Sequence, residues 1–325
     1  MNRNIPAAIN TAKPLGPSLP RKLWRQRYLL MMTVPFIIWA IAFQYLPLLG
    51  WTMAFQDFKL KANIIESFTK APFVGLKHFQ QLWFEFSSQG RFYLALRNTL
   101  AMSLLSLTIG FVMPILFALF INELRKPMFK RVVQTVSYLP HFISWVVAAG
   151  MISTMLSSEG PVNNLLMSLG LTETRTPFLA IPYYFWGIIT AADIWKEMGW
   201  NAIIFLAAIT SIDPTLYESA SIDGANRFHK MRYITLPSIM PVIIVILVMN
   251  IGWIVSIGFE KQFLLGSDLV RSYAEVLDTY VLNYGIGQGR YSFATAIGLF
   301  KSVVSIVLLL LANWLARRAG QDSVL

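Results

Sequence analysis

The sequence predicts an all-α membrane protein: six transmembrane helices, with a short cytoplasmic helix between spans 4 and 5. Three observations carry this. Of the 325 residues, 56% are apolar and only 13% charged, against about 25% charged in an ordinary soluble domain. Mean hydropathy is +0.56. Six stretches also reach the roughly 20 mostly apolar residues that a helix needs to cross about 30 Å of hydrocarbon. A soluble enzyme and a disordered chain are excluded. The net charge of +11 is spread too thinly over an apolar chain for a nucleic-acid binder. With no cysteine, disulfide scaffolds, Cys-ligated zinc and iron–sulfur clusters are excluded, and no metal site is expected.

In chain order, residues 1–27 read as a basic cytoplasmic tail, 28–316 as the membrane domain and 317–325 as a second cytoplasmic tail. Pro6, Pro14, Gly16, Pro17 and Pro20 leave 1–20 without a packed core, and 21–27 interleave basic residues with Leu23 and Trp24. That cluster serves either as an interfacial anchor on anionic lipid or as a plain stop-transfer charge. The spans fall at about 28–50, 93–121, 132–156, 182–211, 237–259 and 292–316. The first is too long for a signal-peptide core and lacks a small-residue cleavage site. Orientation follows from Lys and Arg. One side gathers 15 of them, in the tails and in the 122–131 and 212–236 loops, against 9 on the other. Both termini are therefore expected in the cytoplasm.

The loop between spans 4 and 5 is the most informative stretch. Asp213 is placed as a helix N-cap, Pro214 as its first residue and Gly224 as its left-handed stop. Pro237 is expected to open the next span. Small Ser219 and Ala220 leave room for another protein to approach. Glu218-Ser-Ala220, three residues, Gly224, nine residues, then Ile234-Thr-Leu236-Pro237 resembles the E-A-A-x3-G-x9-I-x-L-P loop of the membrane subunits of binding-protein-dependent ABC importers. Ser219 for the usual Ala is the one departure.

The resemblance extends over about 25–317. Gln44-Tyr-Leu-Pro47, Ala54-Phe-Gln-Asp57, Ile194-Trp-Lys-Glu-Met-Gly-Trp200 and Ala294-Thr-Ala-Ile-Gly-Leu-Phe-Lys301 are similar to the branch that imports oligosaccharides and polysaccharide fragments, nearest to the alginate importers. It implies several partners: a second, homologous permease, two copies of an ATPase, an extracytoplasmic solute-binding protein, and a carbohydrate substrate. The setting would be the lipid of a bacterial inner membrane. The loop helix becomes a coupling helix in the ATPase groove. There Glu218 would anchor by polar contacts, Asp223 and Gly224 would set the turn, and Tyr217 and Ala220 would pack. No G-x-x-x-x-G-K-[ST] occurs, so ATP and Mg belong to the partner ATPase and this chain is expected to carry no cofactor and no catalysis.

Polar residues inside spans cost about 2.5–3.5 kcal/mol each when charged, so each needs a partner or a wet cavity. Sugar sites pair aromatic platforms with polar groups, which makes Lys196, Asn201, Asn250, Trp253 and Lys301 candidates for the substrate pathway. The competing reading is that they glue the bundle through interhelical bonds. On the pathway reading, Lys301→Met should impair transport and leave the complex assembled. Arg97 is expected to snorkel to the interface. Gly285–Gly289 reads as a flexible outer turn or a loop reaching the binding protein. A stand-alone channel or ion-coupled carrier for a small polar solute is the alternative function. It leaves the 213–237 loop unexplained. A membrane-embedded enzyme would need a convergent acid, nucleophile or metal set that the sequence lacks.

Overall fold

The structure is a computed structural model that describes Trp24, residues 26–318 and Gly320. Most of the predicted N-terminal tail, with Arg3, Lys13, Arg21, Lys22 and Arg25, lies outside the described residues, as do 321–325. The described residues are helical throughout, apart from turns and one isolated antiparallel bridge, Gln56 to Phe73.

The chain forms two compact units, residues 1–52 and 53–325. In the first, α1 (Arg27–Ala40) is apolar on every face, with no buried residue, and runs into a π turn at Ile41–Tyr45. Arg27 begins it with its guanidinium 5.2 Å from the Trp24 ring centroid and 4.9 Å from that of Tyr28, a cation and aromatics grouped as at a membrane surface. The helical run Arg27–Phe55 is long and apolar enough to cross a bilayer.

The second unit holds α2 (Lys77–Ser87), α3 (Arg91–Leu105), α4 (Phe111–Asn122), α5 (Pro127–Tyr138), α6 (Trp145–Met155), α7 (Phe185–Thr210), α8 (Pro214–Ile222), α9 (Leu236–Gly252), α10 (Glu260–Leu265), α11 (Leu277–Tyr280) and α12 (Tyr291–Arg318). Arg91–Asn122, Arg227–Gly252 and Tyr291–Arg318 are each long and apolar enough to span. Two further spans are bent pairs: Pro127–Phe142 turns by 104° into Trp145–Met155, and Pro182–Thr210 by 71° into Pro214–Ile222. Counting each pair once gives six with Arg27–Phe55.

Two of the expected segments take a different shape. Residues 132–156 are not one straight helix. Pro140 lies in a 3-10 turn, Leu139–Phe142, and Ser144 then caps α6 by accepting the Val147 N–H at 3.3 Å. A fresh N-cap in mid-stretch starts a new helix axis. Nor does Pro237 open its span. The helix begins ten residues earlier, at Arg227, where the Asn226 side chain accepts the His229 N–H at 2.9 Å, and it ends at Gly252 rather than 259.

Of the four π turns among the described residues, three lie just upstream of a proline: Ile41–Tyr45 before Pro47, Ser106–Gly110 before Pro114, and Met231–Thr235 before Pro237; Val281–Ile286 does not. Proline has no N–H for the carbonyl four residues back. A π turn rearranges the ladder there while keeping the surrounding bonds.

Two cores mark the two ends of this unit. Leu82, Phe92, Ala95, Phe293 and Ile297 pack together where α3 and α12 begin. Ala118, Ile121, Phe205, Ile209 and Ile239 pack where α4 and α7 end and α9 begins. The α3–α4 span thus runs from one core to the other, and α8 projects at the second. Where α7 meets α5, Gly199 is the point of closest approach. A Cβ there would collide with the backbone of Ser137.

Candidate functional site

The loop helix α8 is fixed at both ends by its own sequence. Asp213 accepts the Thr215 N–H at 2.9 Å, and Pro214 follows at the first helical position. That bond also holds the Asp213 carboxyl below the usual carboxylate range. At the other end Gly224 has φ +77°. The Ala225 N–H reaches the Ala220 carbonyl at 2.8 Å and the Gly224 N–H that of Ser221 at 3.2 Å. This pair of bonds makes a Schellman stop.

The helix is also tied to the next span. The hydroxyls of Tyr217 and Thr235 lie 2.9 Å apart, and Lys230 Nζ donates to Ser221 Oγ at 2.6 Å. Its free face presents Glu218, Ser219, Asp223 and Gly224, all exposed, while Ala220 is half-buried. Ser219 donates its hydroxyl proton to the Thr215 carbonyl at 2.7 Å. Its outward surface is therefore nearly that of the alanine it replaces. The six loop residues singled out in the sequence thus lie on one short, capped element.

A second site lies within the bundle. A cavity of about 690 Å³ is walled by α3, α4, α7, α9 and the chain that follows α9, a volume within the usual range for small-molecule sites. Three of the candidates, Asn201, Asn250 and Trp253, line it. Trp200, Ser103, Ser106, Asp193 and Lys261 line it too. The chain leaves its helix at Gly252 and unwinds through Trp253 to Gly258, where φ is +80°. Ser103 Oγ holds this strap by donating to the Ile254 carbonyl.

The other two pathway candidates lie outside the cavity lining. Lys196 is buried and donates to the His141 carbonyl at 2.8 Å and to Glu197 Oε1 at 3.0 Å. The His141 ring bonds Glu197 Oε2 at 2.7 Å and stacks on Trp200, with centroids 4.3 Å apart. Lys196 therefore braces the 104° bend against α7. Lys301 pairs with Asp278, whose other oxygen accepts the Gly258 N–H at 3.2 Å. Both lysines have interhelical partners, as the bundle-glue reading expects. Arg97, expected to snorkel, has protein partners: it donates to the Ser272 carbonyl at 2.6 Å and lies over the rings of Trp186 and Tyr273.

The two charged residues of the lining, Asp193 and Lys261, escape the sequence reading; they form an ion pair in the wall. Asp193 carried a signal, an acid inside an apolar span three residues before Lys196. Lys261 counted only as a loop charge.

A cavity that sets a few polar and charged groups among apolar walls, with a stiff capped helix projecting from the end of one span, defines the membrane-spanning subunit of a transporter. The chain belongs to the binding-protein-dependent transport system inner membrane component family, whose profile matches residues 110–321. It is 42% identical to the polygalacturonan/rhamnogalacturonan transport system permease protein YteP of Bacillus subtilis (strain 168), over 93% of this chain and 92% of that one. It is 39% identical to protein LplB of the same organism, over 95% and 94%. A crystal structure of a bacterial ABC transporter involved in the import of the acidic polysaccharide alginate contains a chain 42% identical to this one. It superposes with a TM-score of 0.84 over 92% of this chain and 98% of that one. The chain is a permease subunit of a carbohydrate ABC importer, a transport component and not an enzyme. The carrier or channel alternative has no support.

Proposed function

We propose that this permease moves acidic polysaccharide fragments through the cavity between α3–α4, α7 and α9, driven by an ATPase docked on α8. The observation that carries the coupling is the geometry of α8. It is nine residues long, capped at both ends, set at 71° to its span and bonded back to the next one. Such an element moves as a lever. Displacing it must displace α7 and the start of Arg227–Gly252.

The substrate reading rests on two likenesses at 42% identity, one named for polygalacturonan and rhamnogalacturonan and one for alginate. A homologous second permease, two copies of an ATPase carrying ATP and Mg, and an extracytoplasmic binding protein complete the importer in the bacterial inner membrane. A crystal structure of the alginate transporter with a pentasaccharide-bound periplasmic protein supports the last of these. The excess of basic residues in the tails and in the 122–131 and 212–236 loops supports cytoplasmic termini and a cytoplasmic α8.

Copurification tests the assembly: the tagged chain should bring down an ATPase and a second permease. Uptake into proteoliposomes tests the substrate, using labelled uronate and neutral oligosaccharides with the binding protein present. Sugar movement by the purified chain alone, without ATP, would overturn the reading.

A further inference from the structure

The cavity wall carries one ion pair, Asp193 of α7 with Lys261 of α10, and both residues line the space. Their side chains are 20% and 17% exposed, so neither is fully withdrawn from a ligand in the cavity. Around them the lining is neutral: serines, asparagines, tryptophans and aliphatic residues. Lys261 is thus the cation of this lining, and a carboxylate of the protein already occupies it.

Asp193 has further neighbours of both signs. Lys196 lies one turn further along α7, near enough for its charge to act on Asp193, as is that of Glu197. The two lysines flank a single ring, with Lys196 Nζ at 5.5 Å and Lys261 Nζ at 5.8 Å from the Trp145 centroid. An aspartate that lost Lys261 would still have Lys196 one turn away on α7, shared with Glu197. This matters because a buried carboxylate without a cation beside it is strongly disfavoured.

We infer that Lys261 is the group in the pathway that reads the carboxylate of an acidic sugar, and that Asp193 is its resident stand-in when the cavity is empty. The inference rests on the acidic-fragment reading above and adds the residues that discriminate. A uronate carboxylate entering beside Trp200 and Trp253 takes the place of Asp193 on Lys261, and Asp193 turns to Lys196. The exchange keeps each carboxylate beside an ammonium, with Asp193 and Glu197 sharing Lys196, and leaves the cluster with one net negative charge, that of the sugar. A neutral sugar has no group to displace Asp193 and meets a closed pair.

The test uses the complete importer in proteoliposomes, with binding protein, and reads the half-saturating concentration for uptake of a labelled uronate oligosaccharide. Loss of a charge-assisted bond weakens binding by about tenfold or more, so Lys261→Gln should raise that concentration about tenfold. Lys261→Arg should stay near wild type. Asp193→Asn removes the competitor and should lower it. A pair that merely fastens α10 to α7 predicts the same for the two Lys261 variants but the reverse for Asp193→Asn, which would then be impaired like Lys261→Gln. That result overturns the inference.

A second measurement needs no variant. Acylation of the Lys261 amine in the wild-type importer should be slowed by a uronate trisaccharide and not by a neutral one. Equal protection by both, or by neither, overturns the proposal. If wild-type importer takes up no acidic sugar at all, the substrate reading falls, and this inference falls with it.

Discussion

At Gly224 the absence of one carbon sets the geometry of the loop. Its φ of +77° costs an L side chain about 1–2 kcal/mol, and the two Schellman bonds at the end of α8 depend on it. Gly224→Val should therefore loosen the stop while leaving the ATPase site untouched. We expect ATP hydrolysis by the assembled importer to continue while sugar uptake falls at least several-fold, measured side by side in proteoliposomes. Asp213 acts at the other end. Because its bonds to Thr215 hold its carboxyl below the ordinary range, its capping contribution is present above the carboxylate's usual pKa. It is lost as pH falls through the native value. Protection of the Thr215 amide, taken relative to its intrinsic exchange rate at each pH, should fall on acidification in wild type but much less so in Asp213→Ala. Both residues were legible in the sequence because a cap acts within three or four positions of itself. The distant partners were not. Lys261 finds Asp193 across 68 positions and Lys196 finds the His141 carbonyl across 55; only Glu197, the other partner of Lys196, stands next to it in the chain.

Among elements, the contact of α5 with α7 turns on Gly199. A Cβ there meets the backbone of Ser137, and backbone cannot step aside as the end of a flexible side chain can. Gly199→Ala should cost about 1–3 kcal/mol by overpacking, read as a lower melting temperature of the purified complex. Lys301 belongs to the same scale. Its pair with Asp278, at 12% and 22% side-chain exposure, joins α12 to α11. Through the Gly258 N–H it also joins the strap after α9. Lys301→Met leaves Asp278 uncompensated, a loss of about 3 kcal/mol. The expected outcome is thus poorer assembly and not only the slower transport that a pathway lysine would give. Adding Asp278→Asn should restore yield in a size-exclusion profile. The six apolar runs were legible from composition, because hydrocarbon demands length and apolarity of every span alike. The 104° bend was not, since Pro140 and Ser144 sit in a run whose average hydropathy hides them.

For the whole molecule, one end of the second unit carries the coupling helix and the other the core of Leu82, Phe92 and Phe293. The cavity lies along the helices that connect them, so a signal from α8 must travel through α7 and Arg227–Gly252 to alter it. The three π turns that precede a proline bear on how. A π turn stores one surplus residue in the winding of a helix, and each lies beside a proline where the ladder is already interrupted. Such a dislocation can glide by one position when one backbone bond is exchanged for its neighbour, with no N–H or C=O left bare in lipid. Met231–Thr235 lies directly between α8 and α9. Rotation of the coupling helix can therefore enter the span as slippage of that surplus turn and need not break the helix. Deleting one residue from 231–235 should remove the slack, and the importer would then hydrolyse ATP against a span that has only one register.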